Sequence, residues 1–259
     1  MLILIDIGNT NIVVGVGDPQ EERLICSWRL ASSPSRTEDE YFVSIRTLLA
    51  ELAPESWPRS GAVISSVVPN LTPEFISIVR RLTGNQPLVV GPGIRTGLDI
   101  AYHDPSEVGA DRIANAVAAR RLYGTPIVVV DFGTATTFDL VLPPNIYAGG
   151  AIVPGVGVSL SALIARTAQL PRVELKRPRR VVGKSPTESI QSGVFWGTVA
   201  MVEGMIERLE KEVGTTLRVI ATGGLGALFA QSIPRIEAYE PDLTLRGLML
   251  LHQLNQPPA

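Results

Sequence analysis

Two aspartates stand at the ends of apolar runs in matching company. Ile5-Asp6-Ile7-Gly8-Asn9-Thr10-Asn11, in the first half of the chain, returns as Val130-Asp131-Phe132-Gly133-Thr134-Ala135-Thr136 in the second. Each copy ends a strand-forming run on a carboxylate. Each then places a glycine, whose missing side chain lets the backbone turn tightly and lets a phosphate approach. Hydroxyl and amide side chains follow, able to donate hydrogen bonds to phosphate oxygens. A carboxylate repels a phosphate, so Asp6 and Asp131 would work through a metal or its waters, while backbone N–H groups and hydroxyls meet the phosphate itself. A single Asp-x-Gly-x-Thr is also an ordinary way to cap and turn a strand. Here the pattern recurs after a Val-, Ile- or Leu-rich strand and before a second apolar strand, Ile12 to Val16 in one copy and Phe138 to Val141 in the other. That points to a duplicated nucleotide-binding half, with Asp6 and Asp131 facing each other across one cleft that holds a cation and a nucleotide tail.

The elements that must carry these loops follow from periodicity and punctuation. From Leu2 to Arg29 the alternation, broken at Gly17-Asp18-Pro19, predicts a meander of three strands, the third from Arg23 to Leu30. A helix runs from Thr37 to about Leu52, with Thr37 as cap and Glu38, Asp39 and Glu40 in the first turn, where the helix dipole favours negative charge. Gly61 to Val68 reads as a buried strand, Leu71 to Leu82 as a helix and Leu88 to Val90 as a strand, so the order β-β-β-α-β-α-β is that of an RNase H-like half. Gly109-Ala110-Asp111-Arg112 leads into a helix with Ile113, Ala114, Val117, Ala118 and Leu122 on one face, stopped by Gly124.

The second half opens near Thr125-Pro126, and the division expected is residues 1–118 and 119–259. Strands fall near 127–131, 136–142 and 146–152, then a glycine-rich loop at Pro154 to Gly157 and a helix over 158–167. The Pro- and Arg-rich stretch from Leu170 to Lys184 reads as a solvated surface excursion, or as a segment ordered by an anionic ligand. Ser185-Pro186-Thr187-Glu188 opens a long helix to about Glu212 with a capping box. The strand Leu217 to Ala221 ends in Thr222-Gly223-Gly224, where Gly223 and Gly224 either let an adenine ring lie against the backbone or simply make a tight turn. The tail Gln256 to Ala259 is expected to fray.

Composition narrows the classes. At 259 residues, 45% hydrophobic and with a slightly positive mean hydropathy, the chain can bury a substantial core in two halves. A net charge of −2 argues against nucleic acid as a partner. One cysteine, Cys26, permits no intrachain disulfide, and His103 and His252 alone assemble no zinc site. The apolar run Met1 to Ile5 is too short for a secretory signal, and no stretch approaches the roughly 20 apolar residues that span a bilayer. A cytoplasmic protein with no membrane partner is expected.

Taken together, Asp6-Ile7-Gly8-Asn9-Thr10, Ser65-Ser66-Val67-Val68-Pro69, Gly109-Ala110-Asp111-Arg112, Asp131 to Thr137, Gly149 to Gly155, Gln191-Ser192-Gly193 and Ala221-Thr222-Gly223-Gly224 resemble the type III pantothenate kinases of the actin-like ATPase and sugar-kinase superfamily. The likeness extends to Leu243-Thr244-Leu245-Arg246-Gly247-Leu248. The resemblance implies an α/β fold of two duplicated RNase H-like domains with a nucleotide cleft between them. It implies ATP-dependent phosphorylation of pantothenate to 4'-phosphopantothenate, the entry step of coenzyme A synthesis, by a homodimer needing Mg²⁺ and a monovalent cation, K⁺ or NH₄⁺. It makes Asp6, Ile7, Gly8, Asn9, Thr10, Asn11, Ile12 and Val13 the ATP phosphate loop, with Asp6 meeting Mg²⁺ through water or phosphate. Thr134 becomes a second nucleotide contact and Asp131 the holder of the monovalent cation. Asp111 becomes the general base, with Tyr102, Gly109, Ala110 and Arg112 around pantothenate. A basic Arg112 beside the hydroxyl site complements the substrate carboxylate, and Asp111 can accept the hydroxyl proton. The bland reading of Asp111, a first-turn acid favoured by the helix dipole, explains the acid but not its neighbours.

One departure stands out. The family's Gly-Lys-Asn-Thr is Gly183-Lys184-Ser185-Pro186 here, so Pro186 replaces the threonine expected to touch pantothenate, and Thr187 or Ser185 is expected to supply the hydroxyl. Two other readings remain open: a non-catalytic regulator on the same fold, encouraged only by Pro186, and a kinase of another small hydroxy acid or sugar. Spacing and charge alone reach an ATP-dependent phosphotransferase with an anionic small substrate.

Overall fold

The structure is a computed structural model that describes residues 1–33, 35–52, 61–166 and 173–256. Its chain forms two compact units, Met1–Leu122 with Asp242–Ala259, and Tyr123–Pro241.

In the first unit, β1 (Leu2–Ile7), β2 (Asn11–Asp18) and β3 (Arg23–Ala31) form the expected meander. α1 (Glu38–Leu49), β4 (Ala62–Ser66), α2 (Thr72–Thr83) and β5 (Leu88–Val89) follow. The sheet order is β3-β2-β1-β4-β5, antiparallel through the meander and parallel from β1 to β5. This is the order anticipated for an RNase H-like half. Alternation decides the faces: Ile3, Ile5, Ile7, Ile12, Val14 and Val16 point to one side and pack with Tyr41, Ile45, Phe75 and Ile78 of α1 and α2. Thr37 caps α1 as expected, accepting from the Glu40 N–H at 3.4 Å while the Glu40 carboxylate accepts from the Thr37 N–H at 2.7 Å.

A short strand β6 (Asp99–Ile100) and a 3-10 turn (Pro105–Glu107) lead into α3 (Ala110–Tyr123). The sequence predicted one apolar face for α3. Instead Ala110 and every residue from Arg112 to Ala119 are buried, because the small alanines let neighbours close in on all sides. One neighbour is α7 (Leu243–Leu254), for which the sequence predicted no helix. α7 packs on β1, β2 and β4, its Gly247 lies against the Ala114 backbone, and its Thr244 hydroxyl donates to Asn115 Oδ1 at 2.8 Å. The C-terminal helix therefore belongs by its contacts to the first unit, whereas the sequence division placed it with the second.

The second unit repeats the meander with β7 (Ile127–Phe132), β8 (Ala135–Leu142) and β9 (Ile146–Pro154), matching the lengths of β1, β2 and β3 strand for strand. α4 (Val156–Ala165), α5 (Pro186–Val213), β10 (Arg218–Thr222), α6 (Gly226–Ala230) and β11 (Ala238–Tyr239) complete it. Its strands run in the order β9-β8-β7-β10-β11. Phe195, Val199, Val202 and Ile206 of α5 join Val128, Val130, Phe132 and Phe138 in one core, where Phe229 stacks at 5.1 Å on Phe132 and at 5.2 Å on Phe195. The bulky residues of α5 are thus absorbed largely by the unit's own core. The capping box expected at the start of α5 is only half formed. Ser185 Oγ accepts from the Glu188 N–H at 3.2 Å, but the Glu188 carboxylate reaches one residue further back, to the Lys184 N–H at 2.8 Å.

The helix expected over 158–167 begins two residues earlier, since Gly155 serves as its N-cap, and Thr167 lies outside the described residues. So do residues 170–172 of the Pro- and Arg-rich stretch, whose remainder to Lys184 carries no helix or strand, and residues 257–259 of the tail. Among the described residues no helix is long and apolar enough to cross a membrane.

Candidate active site

The first Asp-Gly loop joins β1 to β2. Asp6 is half-buried, paired in register with Val13 on one side and Ser65 on the other. The Gly8 N–H donates to the Asn11 carbonyl at 3.0 Å and closes the turn, leaving Asn9, Thr10 and Asn11 exposed at its tip. Ile7 and Ile12 are buried, so their side chains anchor the loop while its backbone and polar tips face outward. Val13 is half-buried behind them.

The second loop, between β7 and β8, is built alike but is one residue shorter. Ile7 pairs with Ile12, whereas Phe132 pairs with Thr136. The two sequences therefore match at a fixed spacing only through Gly8 and Gly133. Thr134 then stands where the first copy has Asn9 and Thr10. The Gly133 N–H closes this turn on Ala135 O at 3.0 Å, and the exposed Thr134 accepts through its carbonyl from the Gly155 N–H at 3.1 Å. Gly155 is the N-cap of α4 and has no side chain to bond the helix's first N–H groups. A helix start of this kind favours anions.

Asp131 lies in register between Thr137 of β8 and Thr222 of β10. Gly223 follows with a left-handed φ of 88°, and a Cβ there would collide with Asp131 Oδ1 and the Phe132 backbone. Its carbonyl accepts from the Gly226 N–H at 3.0 Å and from Tyr239 Oη at 3.1 Å. Gly223 is thus consumed by a tight strand-to-helix turn against the aspartate, while Gly224 beside it is exposed.

In the first unit, Gly109-Ala110-Asp111-Arg112 forms the entry to α3, and the half-buried Tyr102 precedes it. A pocket of about 930 Å³ reaches this entry, lined among others by Ser66, Val67, Val90, Ile100, Gly109 and Ala110. Asp111 Oδ1 accepts from the Arg112 N–H at 2.8 Å, folding the carboxylate back over Gly109, where a Cβ would stand 2.6 Å from that oxygen. A side chain at 109 would push that carboxylate aside. Burial pushes the Asp111 carboxyl above its ordinary value, opposed by the Arg112 N–H bond and the Arg112 charge. Arg112 is only 7% exposed.

Pro186 and Thr187 open α5 in the second unit. Pro186 is exposed, Thr187 half-buried, and Ser185 Oγ already accepts the cap bond. Among the described residues the Thr187 hydroxyl makes no hydrogen bond, so it is the more available of the two replacements for the absent threonine.

Carboxylate and hydroxyl oxygens suit Mg²⁺ and monovalent cations, which are hard ions. Among the described residues no group of three or more His, Cys, Asp or Glu gathers into a metal cluster. A cation at Asp6 or Asp131 would therefore fill its shell with phosphate, water or neutral oxygens, and the hydroxyls of Ser65 beside Asp6 and of Thr137 and Thr222 beside Asp131 fit that chemistry. These hydroxyls and the start of α4 were missed from sequence. Their signal was the serine or threonine opposite each aspartate, which becomes visible only once strands are paired.

The family described as type III pantothenate kinase matches over residues 2–208. A protein of that name from Moorella thermoacetica is 46% identical over 255 residues, covering 98% of this chain and 100% of the relative, and one from Halalkalibacterium halodurans is 45% identical over 255 residues with the same coverage. Among solved structures, a protein assigned to the Baf family of transcriptional activators from Campylobacter jejuni aligns with a TM-score of 0.61 at 21% identity, over 98% of each chain. One assigned as a 2-dehydro-3-deoxygalactonokinase from Sinorhizobium meliloti gives 0.61 at 12%, over 100% of this chain and 98% of its own. At such identities these two speak for the fold alone.

A carboxyl whose folded value is raised binds its proton more tightly when folded. Its contribution favours folding below the unfolded value and is lost as pH rises through the folded one. Asp111→Asn, which keeps the acceptor oxygen and removes the desolvated charge, should therefore melt higher than the parent at pH 7. That advantage should shrink toward zero as pH falls toward 4, which thermal unfolding across a pH series checks.

Proposed function

The chain belongs to the type III pantothenate kinase family, and from that membership we propose how its residues divide the work of phosphorylating pantothenate with ATP, the step that opens coenzyme A synthesis. The observation that carries the proposal is the entry to α3, where a desolvated Asp111 with raised proton affinity stands beside a buried Arg112. Phosphoryl transfer to an alcohol needs its hydroxyl proton removed as the new P–O bond forms, and little covalent help besides. Asp111 accepts that proton. Its raised affinity brings it nearer the working pH than an ordinary aspartate, which is what general-base catalysis rewards. Arg112 complements the pantothenate carboxylate, Gly109 and Ala110 line the pocket around the substrate, and Tyr102 is a further substrate contact.

The loop from Asp6 to Val13 takes the ATP phosphates at its tip, through the exposed Asn9, Thr10 and Asn11 held by the Gly8 turn beneath them, and Thr134 adds a second nucleotide contact. Gly224 is the glycine open to the adenine side, and Gly223 acts by shaping the turn beneath it. Asp6 would hold Mg²⁺ through water or phosphate, and Asp131 would hold K⁺ or NH₄⁺. When bound, these ions neutralise charge on the phosphates. Thr187 takes over the hydroxyl contact that Pro186 cannot make. A homodimer working in the cytoplasm completes the reading.

The deciding experiment is ADP release from purified protein with ATP, Mg²⁺ and K⁺, with and without pantothenate. Turnover that requires pantothenate supports the reading, and its absence with both K⁺ and NH₄⁺ in a folded protein overturns it. Thr187→Val should raise KM for pantothenate by up to about tenfold, the scale of one neutral hydrogen bond, with KM for ATP unchanged. An unchanged KM for pantothenate would remove Thr187 from the pocket. Gly109→Ala should fold but displace the Asp111 carboxylate, lowering kcat by about 10²-fold, as small misplacements of reacting groups do. Steady-state kinetics with both substrates reads both variants.

A further inference from the structure

The two meanders are near copies, and the second carries a polar chain across its sheet. Asp139 is fully buried on β8, where Oδ2 accepts from Thr137 Oγ1 at 2.8 Å and Oδ1 accepts from the equally buried Tyr147 Oη at 2.6 Å. In the first copy the register places Val13 opposite Asp6, where the second places Thr137 opposite Asp131. Two residues further along the strand, Gly15 stands where the second copy has Asp139. Valine and glycine therefore suffice to build the hairpin. A buried carboxylate is costly to desolvate, and nothing in the hairpin's own construction requires it.

What the chain of bonds does is fix a proton. A threonine hydroxyl has one proton and two lone pairs, and the Thr137 proton is committed to Asp139. Tyr147 holds the other carboxylate oxygen, so the acceptor cannot easily turn away. Thr137 is then left to present lone pairs on the sheet face it shares with Asp131, since directly opposed residues of antiparallel strands point to the same side about 4.5–5.5 Å apart at Cβ. Donation into a carboxylate also polarises the hydroxyl and leaves its oxygen richer in negative charge.

We propose that Thr137 Oγ1 is a second oxygen ligand for the monovalent cation at Asp131, and that Asp139 and Tyr147 are positioning residues that hold its lone pairs toward that ion. The proposal rests on the reading that Asp131 holds the cation. Groups that hydrogen-bond a metal ligand and fix its orientation commonly change metal affinity by about 10- to 100-fold.

The test is a potassium titration of the thermal midpoint, at constant ionic strength in choline chloride with Mg²⁺ and a non-hydrolysable ATP analogue, which needs no turnover. The parent should show a saturable rise and Asp131→Asn none. Thr137→Val should need at least about tenfold more potassium for the half-maximal shift, Asp139→Asn should move the same way, and Thr137→Ser, which keeps the hydroxyl, should stay near the parent. If Thr137→Val lowers the potassium-free midpoint but leaves the half-maximal concentration unchanged, Thr137 is structural and the proposal falls while the Asp131 reading stands. If Asp131→Asn keeps the response, or the parent shows none, the Asp131 reading fails and takes the proposal with it.

Discussion

The desolvated carboxylate at the first turn of α3 is the constraint around which the first unit is arranged. An acid there is easy for a helix to accept, since the dipole favours it. Withdrawing it even partly from water is harder: Asp111 is half-buried, and the residues that follow it from Arg112 to Ala119 are buried on all sides of α3. Small side chains make that enclosure possible, with alanines at 114, 116, 118 and 119 and Gly247 of α7 meeting the Ala114 backbone. The Asn115–Thr244 hydrogen bond pins the same two helices together. The chain thus returns after the whole second unit to cover the helix that bears its proposed base. That cover closes on α3 one turn beyond Asp111.

Duplication explains the loops and divergence explains their separate roles. Both copies carry an aspartate one residue before the end of a parallel-paired strand and turn at glycine, so both put small polar tips where phosphate can approach. Their surroundings differ. Asp6 has valine on one flank and serine on the other, and its loop is long enough to expose three polar residues. Asp131 has threonine on both flanks, a shorter loop tied to the start of α4, and Gly223 closed down on its carboxylate. The open loop suits phosphate and the crowded, hydroxyl-rich one suits a cation.

Much of this was legible in the sequence because it is local. Strand alternation, the Thr37 cap and the Gly8 and Gly133 turns each depend on neighbours within a few residues, and each was found where the pattern put it. What escaped depends on pairing. The one-residue difference between the loops is hidden while strand partners are unknown, and so is the placing of Thr137 against Asp131. α3 looked one-sided because only Ala114 and Ala118 of its alanines fall on the apolar stripe, yet Ala110, Ala116 and Ala119 are buried as well and allow burial all round. α7 went unrecognised as a helix, and its place in the first unit is a long-range fact that no local signal carries. The Asp111 motif could be read as chemistry, but its raised proton affinity comes from packing alone.

The most direct test of the account is the pH dependence of kcat/KM for pantothenate in the parent and in Asp111→Asn. The account predicts an acid limb in the parent whose midpoint lies above the ordinary aspartate value of about 3.9. The variant should lose at least about 10²-fold in rate at neutral pH, and the limb should vanish with it. An unchanged limb in Asp111→Asn, or a variant that keeps the parent's rate, would contradict the account and require the proton to leave by another group.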